Sequence, residues 1–224
     1  MSSVVNGMML TVVALLLGAG GVYLAARELA PFRFSFAPSA QILARLAEDA
    51  PPVPPSVFGA NVSLRICEEA MGALGFRLFP SGRIAAIASH CREAAREATG
   101  AMPSLSYGHL VEAMALFALG RSDEAGAALG RSQRVGANEQ WIAERRVALA
   151  EDHYEILGAY GQTGHLNDLA LLARSERGIG SVAARYVSNP GFRERATAVV
   201  ETLPEDIQER FVSLVRSQAP EARR

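Results

Sequence analysis

The residues that could carry metal chemistry are two cysteines and four histidines. Cys67 and Cys91 belong to no C-x-x-C motif, and the histidines have no metal-ligand spacing among themselves. His90 and Cys91 are adjacent, but neighbours on a helix point about 100° apart and do not easily share one ion. We therefore expect no metal site and no bound cofactor.

The same two cysteines could instead form a disulfide. A bridge between Cys67 and Cys91 would close a loop of about 25 residues and add roughly 3 kcal/mol in the loop-entropy account. The alternative is a pair of buried thiols that pack as small apolar side chains. The outcome depends on the compartment, because disulfides persist where the surroundings are oxidising.

Motifs for other catalytic chemistry are weak. Residues 178–183, GIGSVA, match a loose dinucleotide-binding pattern, but a helix rather than a strand is predicted before them. Glu68–Glu69 and Glu151–Asp152 are adjacent carboxylates, which we expect on solvated helix faces, whereas acid/base catalysis needs carboxylates in separate environments. The sequence contains no G-x-S-x-G, H-E-x-x-H or Walker motif. The prediction is that the protein is not an enzyme.

Trp141, the only tryptophan, lies in a predicted helix over 139–149 and shares a face with Arg145. An arginine on an apolar stripe must either extend to solvent or pair with a carboxylate. One interpretation is a surface for a protein partner, since tryptophan and arginine are enriched where binding energy concentrates. The other is a core tryptophan beside an arginine that pairs with Glu112 or Asp152.

The overall charge of the chain is close to balanced. It has 22 basic and 23 acidic residues and a formal net charge of −1. Nucleic-acid-binding proteins generally carry a clear excess of basic residues. We therefore expect no nucleic-acid partner.

The first of the elements that would position these residues is an N-terminal helix, predicted from an uncharged apolar run over 4–26. At 1.5 Å per residue, this run is long enough to cross about 30 Å of hydrocarbon. A cleaved signal peptide is the alternative. Against it, no basic residue precedes the run, and the bulky Leu24 stands two positions before Ala26. We therefore predict a retained transmembrane anchor over 1–30.

A stripe of small residues runs along the predicted anchor. Ala14, Gly18, Gly21 and Ala25 fall at i, i+4, i+7 and i+11, on one side of the helix. Small residues let a second membrane helix approach closely. A sequence rich in alanine and glycine also produces such stripes by chance, and both explanations stay open.

The rest of the chain divides by composition into 31–61, a Phe/Pro-rich linker with a short helix over 39–48, and 62–224. The linker contains PPVPP, which favours an extended spacer. From about residue 62, apolar residues recur with the helical period, which predicts an all-α domain. We expect helices near 63–74, 82–98, 104–119, 122–134, 139–149, 151–162, 165–176, 179–188, 191–201 and 204–217.

Two segments of this domain resemble the tetratricopeptide repeat, whose period is 34 residues. Residues 120–133, GRSDEAGAALGRSQ, resemble its turn and second helix, with Gly120 at the turn and Ala125 where two helices touch. Residues 156–175 resemble the same motif, with Gly164 at the turn. The resemblance implies stacked antiparallel helix pairs that bind other proteins.

The anchor, the proline-rich linker and the NEQWIAERR segment together resemble small helical-repeat proteins of bacterial surface-polysaccharide systems. This implies a membrane-anchored scaffold whose partners are the membrane and other envelope proteins. The alternative is a structural accessory subunit of a membrane complex, held through its transmembrane helix.

The side of the membrane that holds the soluble domain is predicted from opposing signals. Arg27 and Arg33 follow the span, so the positive-inside tendency alone predicts a cytoplasmic domain. The cysteine pair favours an oxidising compartment. With the resemblance to envelope proteins, we expect a single-pass bacterial inner-membrane protein with a periplasmic domain.

Overall fold

The structure, a computed structural model, describes residues 2–219, without the side chains of 2–6, 35 and 39. Helices make up most of these residues, and no strand occurs among them. The chain forms two compact units, Met1–Ala101 and Met102–Arg224. The predicted all-α fold class is confirmed.

The first unit begins with a long apolar helix. Within it, Gly7–Phe34 is long and apolar, and its most apolar 18-residue window has a mean hydropathy of 2.1 and no buried residue. A helix of this length and composition can cross a membrane. The helices of the unit are α1 (Ser2–Ser35), α2 (Ser39–Glu48), α3 (Val57–Gly72), α4 (Leu74–Arg77) and α5 (Ser81–Ala101).

The last turns of α1 belong to the packed part of this unit. Arg27 Nη2 donates a 3.2 Å hydrogen bond to the carbonyl of Val53. The Glu28 carboxylate accepts hydrogen bonds from the amide and the hydroxyl of Ser56, at 3.0 and 2.6 Å. The exposed apolar part of α1 therefore continues into the packed unit without a flexible joint.

The proline segment 51–55 is held by the same packing. Val53 and Pro54 are buried, and Ser63 Oγ donates a 2.5 Å hydrogen bond to the carbonyl of Pro52. The composition predicts an extended, semi-rigid spacer, and in the structure hydrogen bonds to the Pro52 and Val53 carbonyls hold this backbone in place. The domain boundary expected near residue 61 lies inside the first compact unit.

A disulfide joins α3 to α5. It links Cys67 to Cys91, whose Cα atoms are 5.5 Å apart, and both cysteines are fully buried. Next to it, His90 Nδ1 lies 2.8 Å from the carbonyl oxygen of Leu46 and connects α5 to α2. The three helices are thus tied together close to one point.

The second unit is a stack of helices around an aliphatic and aromatic core. Its elements are α6 (Ser106–Ala118), α7 (Ser122–Val135), α8 (Gln140–Asp152), a 3₁₀ turn (Tyr154–Ile156), α9 (Ala159–Arg174), α10 (Gly178–Ser188), α11 (Pro190–Val200) and α12 (Glu205–Gln218). Gly120, between α6 and α7, has a φ of +72°, which favours glycine and ends α6. The turn predicted at Gly120 is present in the structure.

The helix break predicted around Gly164 is wrong. Instead of two helices over 151–162 and 165–176, the structure has α9, which runs through Gly164. A Cβ added at Gly164 would meet Gln133 of α7 at an ordinary packing distance, and the close contact between α7 and α9 lies at Gly130. At Gly130 of α7, an added Cβ would lie 1.9 Å from the ring of Tyr160. Only glycine lets the two helices approach this closely.

Candidate functional site

Trp141 lies in the first turn of α8 and is 45% exposed. Its ring is tilted against that of Tyr107, with the centroids 5.1 Å apart. The guanidinium of Arg145 lies over the indole, 5.1 Å from its centroid, and its Nη1 donates a 3.1 Å hydrogen bond to the Trp141 carbonyl. The structure thus brings the two predicted residues together on the surface, and Trp141 is not a core residue. We call Tyr107, Trp141 and Arg145 the tryptophan patch.

Tyr107 is the member of this patch that sequence reasoning missed. It lies in the first turn of α6, 34 residues before Trp141. No local pattern around Tyr107 indicates the contact. The only signal is that the separation equals the tetratricopeptide period.

The buried arginine of α8 is Arg146, whereas the sequence pattern indicated its neighbour, Arg145. It is 1% exposed and holds the equally buried Asp168 of α9 through two hydrogen bonds, Nε–Oδ2 of 2.7 Å and Nη2–Oδ1 of 2.6 Å. Its guanidinium also donates to the carbonyls of Ser132 and Gly136, at 3.3 and 3.2 Å. Burial raises the pKa of the Asp168 carboxyl, and Arg146 opposes this shift. The pair fastens α7, α8 and α9 together.

A second buried cluster surrounds Glu151. His165 Nε2 lies 2.6 Å from Glu151 Oε1, and Arg195 Nε donates to the same oxygen at 3.0 Å. Arg195 Nη2 bonds the other carboxylate oxygen, and its guanidinium carbon lies 3.9 Å from the centroid of the Tyr154 ring. Burial alone raises the pKa of Glu151, but His165 and Arg195 outweigh it and hold that pKa below its ordinary value.

The solvated face expected for Glu151 is therefore wrong, because its side chain is 1% exposed. The side chain of His165 is 0% exposed. A histidine and a carboxylate in contact could exchange a proton, but neither is open to a substrate. The chemistry of this cluster is charge compensation between α8, α9 and α11.

A third cluster lies between α6 and α7. Glu112 Oε2 accepts a 3.2 Å hydrogen bond from Arg131 Nη2, and His109 Nδ1 lies 4.0 Å from the same oxygen. His109 Nε2 lies 3.1 Å from the carbonyl oxygen of Pro103. Contact with His109 is the largest influence on Glu112 and lowers its pKa. Burial raises this pKa, Arg131 lowers it, and the net result is a lowered pKa. Glu112 thus pairs with Arg131 and not with Arg145, the partner considered from the sequence.

No group of three or more His, Cys, Asp or Glu residues within 2–219 is arranged to hold a metal ion. One open groove lies between α8 and α10, with Glu144 and Arg185 in its lining and Phe192 at its base. The buried histidines and carboxylates of the clusters around Glu151 and Glu112 do not line it. It therefore lacks the convergent reactive groups of an enzyme pocket.

The small residues of α1 form an exposed face. Ala14, Gly18, Gly21 and Ala25 are all open to the surroundings, and a Cβ added at Gly18 or Gly21 would meet nothing within 4 Å.

Comparison of the chain with protein-family models, with curated proteins and with solved structures found no match.

Proposed function

We propose that this chain is a membrane-anchored interaction protein of the bacterial cell envelope. In this view α1 holds the chain in the inner membrane, and the second unit binds another envelope protein, with a connection to surface-polysaccharide machinery. The single observation that carries the proposal is the tryptophan patch, in which Trp141 and Arg145 are exposed and rest on the buried Tyr107. Tryptophan and arginine dominate the binding energy of many protein interfaces.

The order of the patch in the unbound chain supports this role. Arg145 is held by a hydrogen bond to the Trp141 carbonyl and by its position over the indole, while Tyr107 packs against the indole ring. Side chains that are already ordered lose less conformational entropy on binding. This preordering therefore favours a stable complex with a protein partner over a short-lived encounter.

The second unit also has features in keeping with a tetratricopeptide-like stack. The helices α6 and α8 begin 34 residues apart and have the same length. The next α-helix after each is of similar length, α9 coming after the 3₁₀ turn, and α7 packs closely on α9 at Gly130. Such stacks expose broad surfaces that bind proteins. The buried charges favour binding over catalysis, because each of the three clusters serves the packing.

The disulfide supports a periplasmic position for the soluble part. A bridge between Cys67 and Cys91 would persist in the periplasm and would be reduced in the cytoplasm. Reporter fusions after residue 224 and after residue 30 test this position. If the soluble part is periplasmic, a reporter that works only in the periplasm should be active when it is fused after residue 224. Activity of a reporter that works only in the cytoplasm, fused at the same place, would contradict this position.

The interaction is tested by purification from membranes in mild detergent. We expect a partner protein to co-purify with the native chain in fixed stoichiometry, and Trp141→Ala to reduce its recovery by about tenfold or more, as for an interface anchor. Ile156→Ala is the matched control, since Ile156 is another exposed apolar side chain of the second unit. Recovery of the native chain alone would contradict the proposal.

A second candidate is a structural accessory subunit held through its membrane helix. The observation that favours it is the open face of small residues on α1. Gly18→Leu with Gly21→Leu should then release the partner, whereas Gly20→Leu, at an equally open position off the stripe, should not. An adaptor that acts through the tryptophan patch should keep its partner in both variants.

A further inference from the structure

Aromatic side chains gather where the exposed segment of α1 ends. The ring of Phe32, near the end of α1, stacks against that of Phe58 in the first turn of α3, with centroids 6.2 Å apart. Phe58 is nevertheless 69% exposed, its neighbour Val57 is 54% exposed, and Phe36 is 85% exposed. A soluble surface seldom leaves such a cluster open to water without a partner.

The helix rise gives the height of this cluster relative to a bilayer. From Gly7, twenty residues of α1 cover about 30 Å, the thickness of the hydrocarbon layer, and reach Ala26. Phe32 follows about 9 Å later along the helix, at the outer edge of a headgroup layer that is roughly 5–8 Å thick. Phe58 shares this height because it stacks on Phe32, and α3 is fixed to α1 by the bonds of Ser56 to Glu28.

Arginines accompany the aromatic rings. Arg33 is exposed in the last turn of α1. Arg45 of α2, also exposed, lies with its guanidinium 5.7 Å from the centroid of the Phe34 ring and donates a 3.4 Å hydrogen bond to the Arg33 carbonyl. Guanidinium groups bind phosphate oxygens well, and aromatic residues are enriched at membrane–water interfaces.

We propose that Phe36, Val57 and Phe58, with Arg33 and Arg45, form a collar that rests on phospholipid headgroups. The first unit then has a second, peripheral contact with the bilayer besides α1. A lipid surface is the occupant that the structure favours, because the collar continues the exposed apolar face of α1 through a rigid junction. The inference rests on the proposed function in one respect, that α1 spans the membrane.

Depth-dependent fluorescence quenching tests the collar in the full chain. The background is Trp141→Phe, reconstituted in nanodiscs of phosphatidylcholine and phosphatidylglycerol, with Phe58→Trp as the only tryptophan. We expect blue-shifted emission, and a loss of intensity when the lipids carry bromine near the headgroup end of the acyl chains. Leu17→Trp in the same background reports on the span, and deep bromines should quench it.

The two positions separate the possible failures. Unquenched emission from Leu17→Trp would overturn the membrane span, and with it the proposed anchoring. Quenching of Leu17→Trp with water-exposed emission from Phe58→Trp would overturn the collar alone. Blue-shifted but unquenched emission from Phe58→Trp would also overturn it, because a protein surface and not lipid would then cover Phe58.

Discussion

The two compact units hold their helices together by different means. In the first, a disulfide between Cys67 and Cys91 joins α3 to α5, and hydrogen bonds from Arg27 and Glu28 fasten α1 to the proline segment and α3. The second unit contains neither of the two cysteines and has buried charged clusters instead, among them Arg146 with Asp168. A covalent bridge tolerates changes of pH, whereas buried ion pairs depend on every partner keeping its charge.

The largest effect should come from breaking the most buried ion pair. Asp168→Ala leaves Arg146 charged and without its carboxylate in the core, which typically costs about 3–5 kcal/mol. Hydrogen exchange of α8 and α9 peptides in detergent should show the loss. The control is the double change Arg146→Met with Asp168→Leu, which removes both charges and should cost much less. Equal losses in the two variants would contradict a compensated pair.

Removal of the disulfide should have the next largest effect. Cys67→Ala with Cys91→Ala lengthens the free loop of the unfolded chain and should cost about 3 kcal/mol. Faster hydrogen exchange should appear chiefly in α3 and α5. If the α9 peptides lost as much protection as those of α3, the contrast between the two units would fail.

A smaller loss is expected where α7 meets α9. Gly130→Ala places a Cβ into the ring of Tyr160 and should cost about 1–3 kcal/mol, as overpacking does. Gly100→Ala is the matched control, because a Cβ at that helical glycine meets nothing within 4 Å. Thermal unfolding followed by circular dichroism should lower the transition temperature only for Gly130→Ala.

The smallest effect is the acid sensitivity of the second unit. The folded-state pKa of Glu151 lies below its ordinary value of 4.5, so its charged form stabilises the fold above that pH. This contribution is lost as the pH falls from about 4.5 through the lowered folded-state pKa. Denaturant titrations between pH 6 and 3 should show a weaker decline in Glu151→Gln than in the native chain. An unchanged decline would assign the acid sensitivity to other groups.

Local sequence patterns predicted the elements better than they predicted the contacts. The short helix expected over 39–48 forms as Ser39–Glu48, and the last helix, expected over 204–217, forms as Glu205–Gln218. These succeed because helical periodicity is a property of neighbouring residues. The turn predicted at Gly164 was wrong because a glycine has the same local signature in a turn and on a buried helix face, as in α9.

The candidate site was predicted in part. Trp141 and Arg145 do meet, since they are one helical turn apart. Which arginine enters the core could not be read from the pattern, because Arg145 and Arg146 are adjacent and the deciding partner, Asp168, lies on another helix. Tyr107 was missed because it also lies on a different helix, α6, from the tryptophan that it contacts.

The most direct test of the proposed function is photo-cross-linking at the tryptophan patch in intact cells. A photoreactive amino acid would replace Arg145, which is exposed beside Trp141, and a control chain would carry it at Ile156. If the second unit binds an envelope protein through this patch, a discrete covalent adduct with one protein forms from position 145 and is absent at 156. No adduct at position 145, or the same adducts from both positions, would contradict the account.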